Sequence, residues 1–490
     1  MTTEQPVPPS AEPGGSPAAG TLSPHQIVAR LERIDIWALP YLFIGIIGAG
    51  FIFTFYDIFD INVSFIQTCA EISHGCTPGK ALSSLTTPLL LNLVGYVVGT
   101  LALSPLSDRI GRRNMLLITM VVTGLGSLYT AFAGDLGNFD AARFITGIGI
   151  GADLAVVNTY INEVAPRRQR AKYTSLIVIA SAIGAVIAVW LGLILTTPST
   201  PWPLGLPAAI GATFTFGWRA MYLVGTLLAV VGVLLRVQLP ESPRWLLAQD
   251  RVSEADAVVG DMEARASKRT VLPAPDPNVA DPVHPPSPIP YTELLTSRVY
   301  LPRILLLFSM WFIGYITVYS YGAGFTAVLA SLKYPPPEAG VIVAVGAVGF
   351  IVAMIFAYFF IEKLERKYWV PIAAVLTIIG GVIVAEGGTN ITLAMAGAAI
   401  IFVGFNLWVP PSYARSAESF PTRARTTGFG LVDGVGHVGG GIGVAVIAPF
   451  LPHMGALGAL LLLGGFLCVA AIIAQFGVST RGRRLDEVSP

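Results

Sequence analysis

Twelve apolar runs, each close to twenty residues, fill this chain almost without interruption from Leu39 to Val478. They fall at 39–61, 85–105, 115–133, 139–162, 173–196, 217–236, 302–325, 339–361, 369–386, 390–411, 427–449 and 455–478. Twenty residues of helix rise roughly 30 Å, the thickness of a bilayer core. Inside hydrocarbon every peptide group must find its partner within the protein, which leaves helices and closed barrels. Barrel strands would be about ten residues long and alternating, and no such pattern occurs. The runs therefore predict an all-α membrane protein of twelve transmembrane helices. Composition agrees: 54% of residues are hydrophobic and 12% charged, about half the charge of a soluble domain. A net charge of +1 gives no reason to expect a nucleic-acid partner.

The connections set the topology. Arg109, Arg112 and Arg113 follow the second run, and Arg167, Arg168, Arg170 and Lys172 the fourth. Arg244 and Arg251 follow the sixth, Lys363, Arg366 and Lys367 the eighth, Arg423 and Arg425 the tenth, and Arg481, Arg483 and Arg484 the last. The opposite loops carry little but Lys80 and Lys333. The positive-inside rule then places both termini in the cytoplasm of a multi-pass cell-membrane protein. Residues 1–23 are rich in Pro, Gly, Ser and Ala without an apolar core, which reads as a disordered tail and not a signal peptide. The expected division is a tail over 1–23, one six-helix half over 24–236, a cytoplasmic linker over 237–299, a second half over 300–478 and a tail over 479–490. The linker holds Pro273, Pro275, Pro277, Pro285, Pro286 and Pro288. Cys69 and Cys76 share one external loop, as a disulfide or as two thiols, and Cys468 sits in an apolar run.

An internal repeat supports two halves. Asp108-Arg109-Ile-Gly-Arg112-Arg113 returns as Glu362-Lys363-Leu-Glu-Arg366-Lys367, 254 residues later. Glu163-Val-Ala-Pro-Arg-Arg-Gln-Arg170 returns as Glu418-Ser-Phe-Pro-Thr-Arg-Ala-Arg425, 255 residues later. Two motifs in one register are not a chance match, and duplicated halves around a midplane site are the usual plan of a secondary transporter.

These motifs resemble those of the major facilitator superfamily, in its sugar-porter-like and metabolite:proton symporter branches. Ser104-Pro-Leu-Ser-Asp108-Arg109-Ile-Gly111-Arg112-Arg113 is similar to the family's loop between helices 2 and 3, with Ser104 in place of its first glycine. Ile145-Thr-Gly147-Ile-Gly-Ile-Gly151 with Tyr160, Glu163 and Arg170 resembles its helix 4 signature. Pro240-Glu241-Ser242-Pro243-Arg244-Trp245 and Glu418 through Arg425 resemble the segments after helices 6 and 10. The resemblance spans roughly residues 30 to 480 and implies the family's fold of two pseudo-symmetric six-helix halves.

The clustered acids and bases at the helix ends form a candidate cytoplasmic gate. It comprises Asp108, Arg109, Arg112, Glu163, Arg170, Glu241 and Arg244, with Glu362, Arg366, Glu418 and Arg425 in the second half. Charge pairs there can latch one conformation and release in another. The glycines from Gly147 to Gly151 lie inside an apolar run, so they read as close helix packing, not as a phosphate loop.

Buried ionisable residues mark function in a membrane. Asp153 is at the centre of the run that Arg143 and Glu163 bracket, with no cation beside it in sequence. Gly-Ile-Gly-Ala-Asp153 resembles the Gly-Gly-Asp of phosphate and metabolite symporters, whose aspartate is linked to proton transfer. Tyr56-Asp57-Ile-Phe59 resembles their helix 1 segment. Asp60, one turn on from Asp57, is expected near the external surface. Asp433 and His437 share a helix face and are expected to hydrogen-bond as a proton relay. Proton coupling is thus assigned to Asp57, Asp153, Asp433 and His437. Trp311, Tyr315 and Tyr319 repeat every four residues, with Tyr321 nearby, and are expected to line a solute site with Asn406. Trp408 and Asn92 are weaker candidates.

The expected function is a secondary transporter moving a small polar metabolite by alternating access, as proton symport of an organic acid or related anion. It would act as a monomer, without cofactor or metal and without enzymatic activity. A sugar or phosphate transporter is the alternative within the family. The fifth run lacks the glutamines of typical hexose porters, and Tyr315, Leu154 and His437 stand where phosphate symporters usually place an acid, a tyrosine and a lysine. A non-transporting nutrient sensor on the same fold is the alternative of another class.

Overall fold

The computed structural model describes residues 23–73, 75–166, 169–276, 290–421, 424–481, 483 and 488–489. Most of the proline-rich linker (Pro277, Pro285, Pro286 and Pro288), the tail before Ser23, and Arg167, Arg168, Arg423 and Arg484 lie outside them, as does the side chain of Arg170. Twelve helices are long and apolar enough to cross a membrane: Tyr41–Ile72, Pro78–Ile110, Arg112–Ala131, Leu136–Val164, Lys172–Thr196, Gly217–Arg236, Tyr300–Gly322, Pro336–Phe360, Arg366–Gly387, Ile391–Glu418, Arg425–Ile447 and Gly455–Gln475. They are numbered here as spans 1 to 12. Their outward faces carry Leu125, Leu227, Leu234, Phe359 and Ile472, all exposed. Those side chains are at home in lipid, where apolar surface carries no penalty.

Span 1 continues eleven residues past the expected end at 61. Its extra turns have polar work. Gln67 donates to the carbonyl of Gly211 at 3.1 Å, and Glu71 accepts from Trp218 Nε1 at 2.5 Å and pairs with Arg219 at 3.3 Å. Cys69 is bridged to Cys76, which fixes the following turn to the helix end.

Span 2 packs on span 4, span 1 on span 5, and span 3 on spans 4 and 6. The second half repeats the pattern, with span 8 on 10, 7 on 11, and 9 on 10 and 12. The halves meet through span 5 against 8 and span 2 against 11. Glycine is what lets spans 2 and 4 approach. A Cβ on Gly99 or Gly147 would lie 1.9 Å from the carbonyl oxygen of Ile148 or Asn92. The helical glycine run is therefore a packing surface.

Three spans are interrupted. Span 7 ends at Gly322, and a short helix Phe325–Ser331 follows. Span 10 breaks at Trp408, before Pro410 and Pro411, which have no N–H to continue the ladder. Span 11 opens into a π turn at Gly430–Gly434, a feature often found at functional sites.

The described part of the linker is not extended throughout. Helices Pro243–Ala248 and Val252–Ser267 follow span 6, and Pro24–Glu32 precedes span 1. Arg30 pairs with Asp256 at 2.5 Å and Glu263 at 2.6 Å, Arg33 with Glu263 at 2.6 Å, and Arg244 with Glu32. Alternating charge at helical spacing builds this platform beneath the first half.

Candidate functional site

Between the halves lies a cavity of about 40 Å³. Phe59 and Leu154 line it from the first half, and Tyr315, Tyr319, Asn406 and His437 from the second. Its volume suits water and is far below the roughly 300 Å³ or more of a ligand pocket. Both ends are shut. At the end of the bundle that carries the termini, the hydroxyls of Thr159 and Thr426 lie 2.7 Å apart. At the far end the Thr326 hydroxyl donates to Asn62 Oδ1 at 2.6 Å, tying span 1 to the break after span 7.

Of the expected aromatic stripe, Tyr315 and Tyr319 face the cavity. Trp311 sits one turn below, fully buried, its Nε1 donating to Ser416 Oγ at 2.9 Å and its ring against Trp408 and Tyr413. It supports the wall and does not line it. Asn406 lines the wall and donates to its own helix at Phe402 O, 2.8 Å. Tyr321 donates to Leu460 O at 3.1 Å, and Asn92 to Arg143 O at 2.8 Å, so both serve packing.

Asp433 and His437 are brought together, in a different way from the expected carboxylate–imidazole bond. His437 Nδ1 is 2.7 Å from the backbone oxygen of Asp433 and 3.9 Å from its carboxylate. The carboxylate instead accepts from the hydroxyl of Tyr315 and from that of Tyr96 at 3.3 Å. The imidazole lies between the Tyr96 and Tyr315 rings, with centroids 3.9 and 3.8 Å away. The π turn places Asp433 where tyrosines from both halves reach it.

A second buried cluster holds Asp57. Arg143 Nη1 lies 3.1 Å from Asp57 Oδ2 and 3.8 Å from Asp60 Oδ1. Ser127 donates to Asp57 Oδ1 at 2.8 Å. Asp60 is fully buried and not at the surface, and neither of its oxygens has a hydrogen-bond donor. Two carboxyls thus share one guanidinium. Arg143 was read only as the boundary of an apolar run. An arginine a full turn inside the run that starts at 139 was the available signal.

Asp153 has the cation that its neighbours in sequence lack. Arg236, at the end of span 6, is completely buried and grips both oxygens, Nη2 to Oδ2 at 3.0 Å. Thr119 adds a bond at 2.8 Å and Thr54 one at 3.3 Å. Spans 1, 3, 4 and 6 are joined there, within one half and away from the cavity lining.

At the terminus-bearing end Arg112 pairs with Asp108 at 2.8 Å and Glu163 at 3.0 Å. Glu241 accepts from the backbone N–H of Arg112 at 3.0 Å and of Ser242 at 2.9 Å. Burial pushes the Glu241 carboxyl above the ordinary glutamate value, against the opposing pull of those backbone bonds. Arg244 pairs with Glu32, and Arg109 is exposed. The second half repeats the core of the arrangement. Arg366 pairs with Glu362 at 3.0 Å and Glu418 at 3.7 Å, and Arg425 is buried at the start of span 11.

The likeness to known proteins agrees with this architecture. Residues 42–490 match the model of the family described as "Sugar (and other) transporter". The niacin transporter NiaP of Acinetobacter baylyi is 24% identical over 469 residues, 94% of this chain and 99% of that one. The 4-hydroxybenzoate transporter PcaK of Pseudomonas aeruginosa is 24% identical over 86% of this chain and 90% of its own. The proton:xylose symporter XylE, solved with 6-bromo-6-deoxy-D-glucose, shares the fold with a TM-score of 0.70 at 19% identity, over 91% of this chain and 98% of that one. With twelve spans, a duplicated helix-end charge motif and a cavity between the halves, the chain belongs to the sugar (and other) transporter family of the major facilitator superfamily, as a multi-pass membrane transporter of a small metabolite.

Proposed function

We propose that the protein is a proton symporter for a small organic acid with an aromatic ring. It works as a monomer in the cell membrane with both termini in the cytoplasm. The observation that carries the reading is the pair Asp57 and Asp60 on the single guanidinium of Arg143. If both acids ionise, the buried cluster keeps one uncompensated negative charge. Two carboxylates in one dry site resist ionising together, so one proton is retained. Asp60, whose oxygens have no donor, is its seat. Releasing that proton leaves a charge that only a rearrangement or water entry can stabilise. This ties protonation to which face of the transporter opens.

The substrate class follows from the cavity wall. It is aromatic and aliphatic with few polar groups, Tyr315, Tyr319, Tyr413, Asn406 and His437. A sugar ring needs a partner for nearly every hydroxyl, whereas a flat ring with one carboxyl needs stacking and one polar anchor. Niacin and 4-hydroxybenzoate, named for two relatives, are both ring carboxylates. Uptake into proteoliposomes under an imposed pH gradient tests this. Nicotinate and 4-hydroxybenzoate should accumulate when the outside is acidic, and xylose, glucose and phosphate should not. Uptake of a ring acid that ignores the pH gradient would remove the symport reading. Accumulation of a sugar in preference to the acids would remove the substrate class.

A further inference from the structure

We infer that Nε2 of His437 is the atom that takes the carboxyl of the solute, and that it gains one proton for each acid bound. This rests on the organic-acid reading above and adds the contact group and its stoichiometry.

The tautomer is set by the backbone. Nδ1 lies 2.7 Å from the carbonyl oxygen of Asp433. A carbonyl oxygen only accepts, so Nδ1 carries the hydrogen. The ring cannot turn to exchange its nitrogens, because Tyr96 and Tyr315 hold its two faces at centroid distances of 3.9 and 3.8 Å. Nε2 has no hydrogen-bond partner among the described residues, His437 lines the cavity, and in the neutral ring Nε2 is an acceptor.

A carboxylate is also an acceptor only. Two acceptors bond only when a proton sits between them, so an acid can engage Nε2 only together with one proton drawn from solution. The surroundings favour that pairing. The groups around the imidazole are the Asp433 carboxylate at 3.9 Å on its own span, Tyr96 from span 2, Tyr315 and Tyr319 from span 7, and Tyr413 and Asn406 from span 10. Among the described residues no Lys or Arg lines the cavity. A bare anion would meet the Asp433 carboxylate with no cation to offset it. An anion arriving with a proton adds no net charge. The corresponding amide needs no proton, because its own N–H donates to Nε2.

The test is equilibrium binding to the purified full-length protein, with 4-hydroxybenzoate against 4-hydroxybenzamide and nicotinate against nicotinamide, from about pH 6 to about pH 8. Linkage of one extra proton makes the acid weaken by about tenfold more per pH unit than its amide at the alkaline end. In His437→Gln the acid's slope should fall to that of the amide. Identical slopes for acid and amide in the wild type overturn the inference, and that comparison stands without any variant if His437→Gln fails to fold. An acid slope unchanged in a folded His437→Gln also overturns it, while leaving the transport reading intact. Failure of both acids to bind removes the organic-acid reading and this inference with it.

Discussion

The two buried aspartate clusters differ in charge count, and that difference sorts their roles. Asp153 and Arg236 are matched one to one, with threonine hydroxyls completing the shell. Removing one partner strands the other charge and costs about 3–5 kcal/mol, while replacing both is far milder. Asp153→Asn should therefore lower the thermal midpoint in detergent sharply, and Asp153→Leu with Arg236→Leu should recover much of it. A double variant as unstable as the sum of the singles would show that the pair is not coupled. Asp57 and Asp60 outnumber Arg143 by one. Asp57→Asn or Asp60→Asn restores a one-to-one count and removes the need for a proton. Across about one pH unit, equivalent to roughly 1.4 kcal/mol per proton, either variant should accumulate an acid about tenfold less than the wild type, with counterflow exchange retained. Full accumulation by both variants would place coupling elsewhere.

At the scale of elements, interruptions decide where chemistry sits. The π turn in span 11 presents Asp433 to tyrosines from both halves, and the proline break in span 10 seats Trp408 behind the cavity wall and Tyr413 in it. The helix-end charge cluster is likewise a junction, with Glu241 reaching the start of span 3 from the loop after span 6. Its carboxyl is raised above the ordinary glutamate value by burial. An acid raised in the folded state contributes stability that is present in acid and lost as pH rises through its folded value. The thermal midpoint of the wild type relative to Glu241→Gln should therefore decline as pH rises from about 4, the ordinary glutamate range. A difference that grows with pH would mean the backbone bonds outweigh burial at this residue.

For the whole molecule, the cavity of about 40 Å³ is too small to admit a ring acid, so the proposed transport requires a wider opening. In the proposed symport cycle each seam opens in turn. In a Cys468→Ser background, Thr159→Cys with Thr426→Cys should crosslink under oxidation, given hydroxyls 2.7 Å apart, and should arrest uptake reversibly. Asn62→Cys with Thr326→Cys should do the same at the opposite end. Transport that continues through a fully crosslinked seam would rule out opening at that end.

The sequence alone determined the class of fold. Hydrocarbon admits no unsatisfied peptide groups, so twelve apolar runs of span length had to be helices. The repeated motifs around Asp108 and Glu362 also showed the duplication, because local spacing survives in the chain whatever the tertiary packing. The pairing of Arg112 with Asp108 and Glu163, and of Arg366 with Glu362 and Glu418, was legible for the same reason, whereas Arg109 is exposed and the side chain of Arg170 lies outside the described residues. What the chain could not show is which charges meet. Arg236 lies 83 residues from Asp153 and Arg143 lies 86 from Asp57. In a low-dielectric interior the state of a carboxylate depends on its nearest cation in space. So the sequence placed Asp153 among the proton-coupling candidates and Asp60 near the surface. Tertiary structure gave Asp153 a guanidinium partner and, against the surface expectation, buried Asp60 beside a shared one. The contact of His437 Nδ1 with Asp433 O was equally hidden, because the choice between the carbonyl and the carboxylate of the residue one turn back is made by packing and leaves no fixed mark in residue spacing.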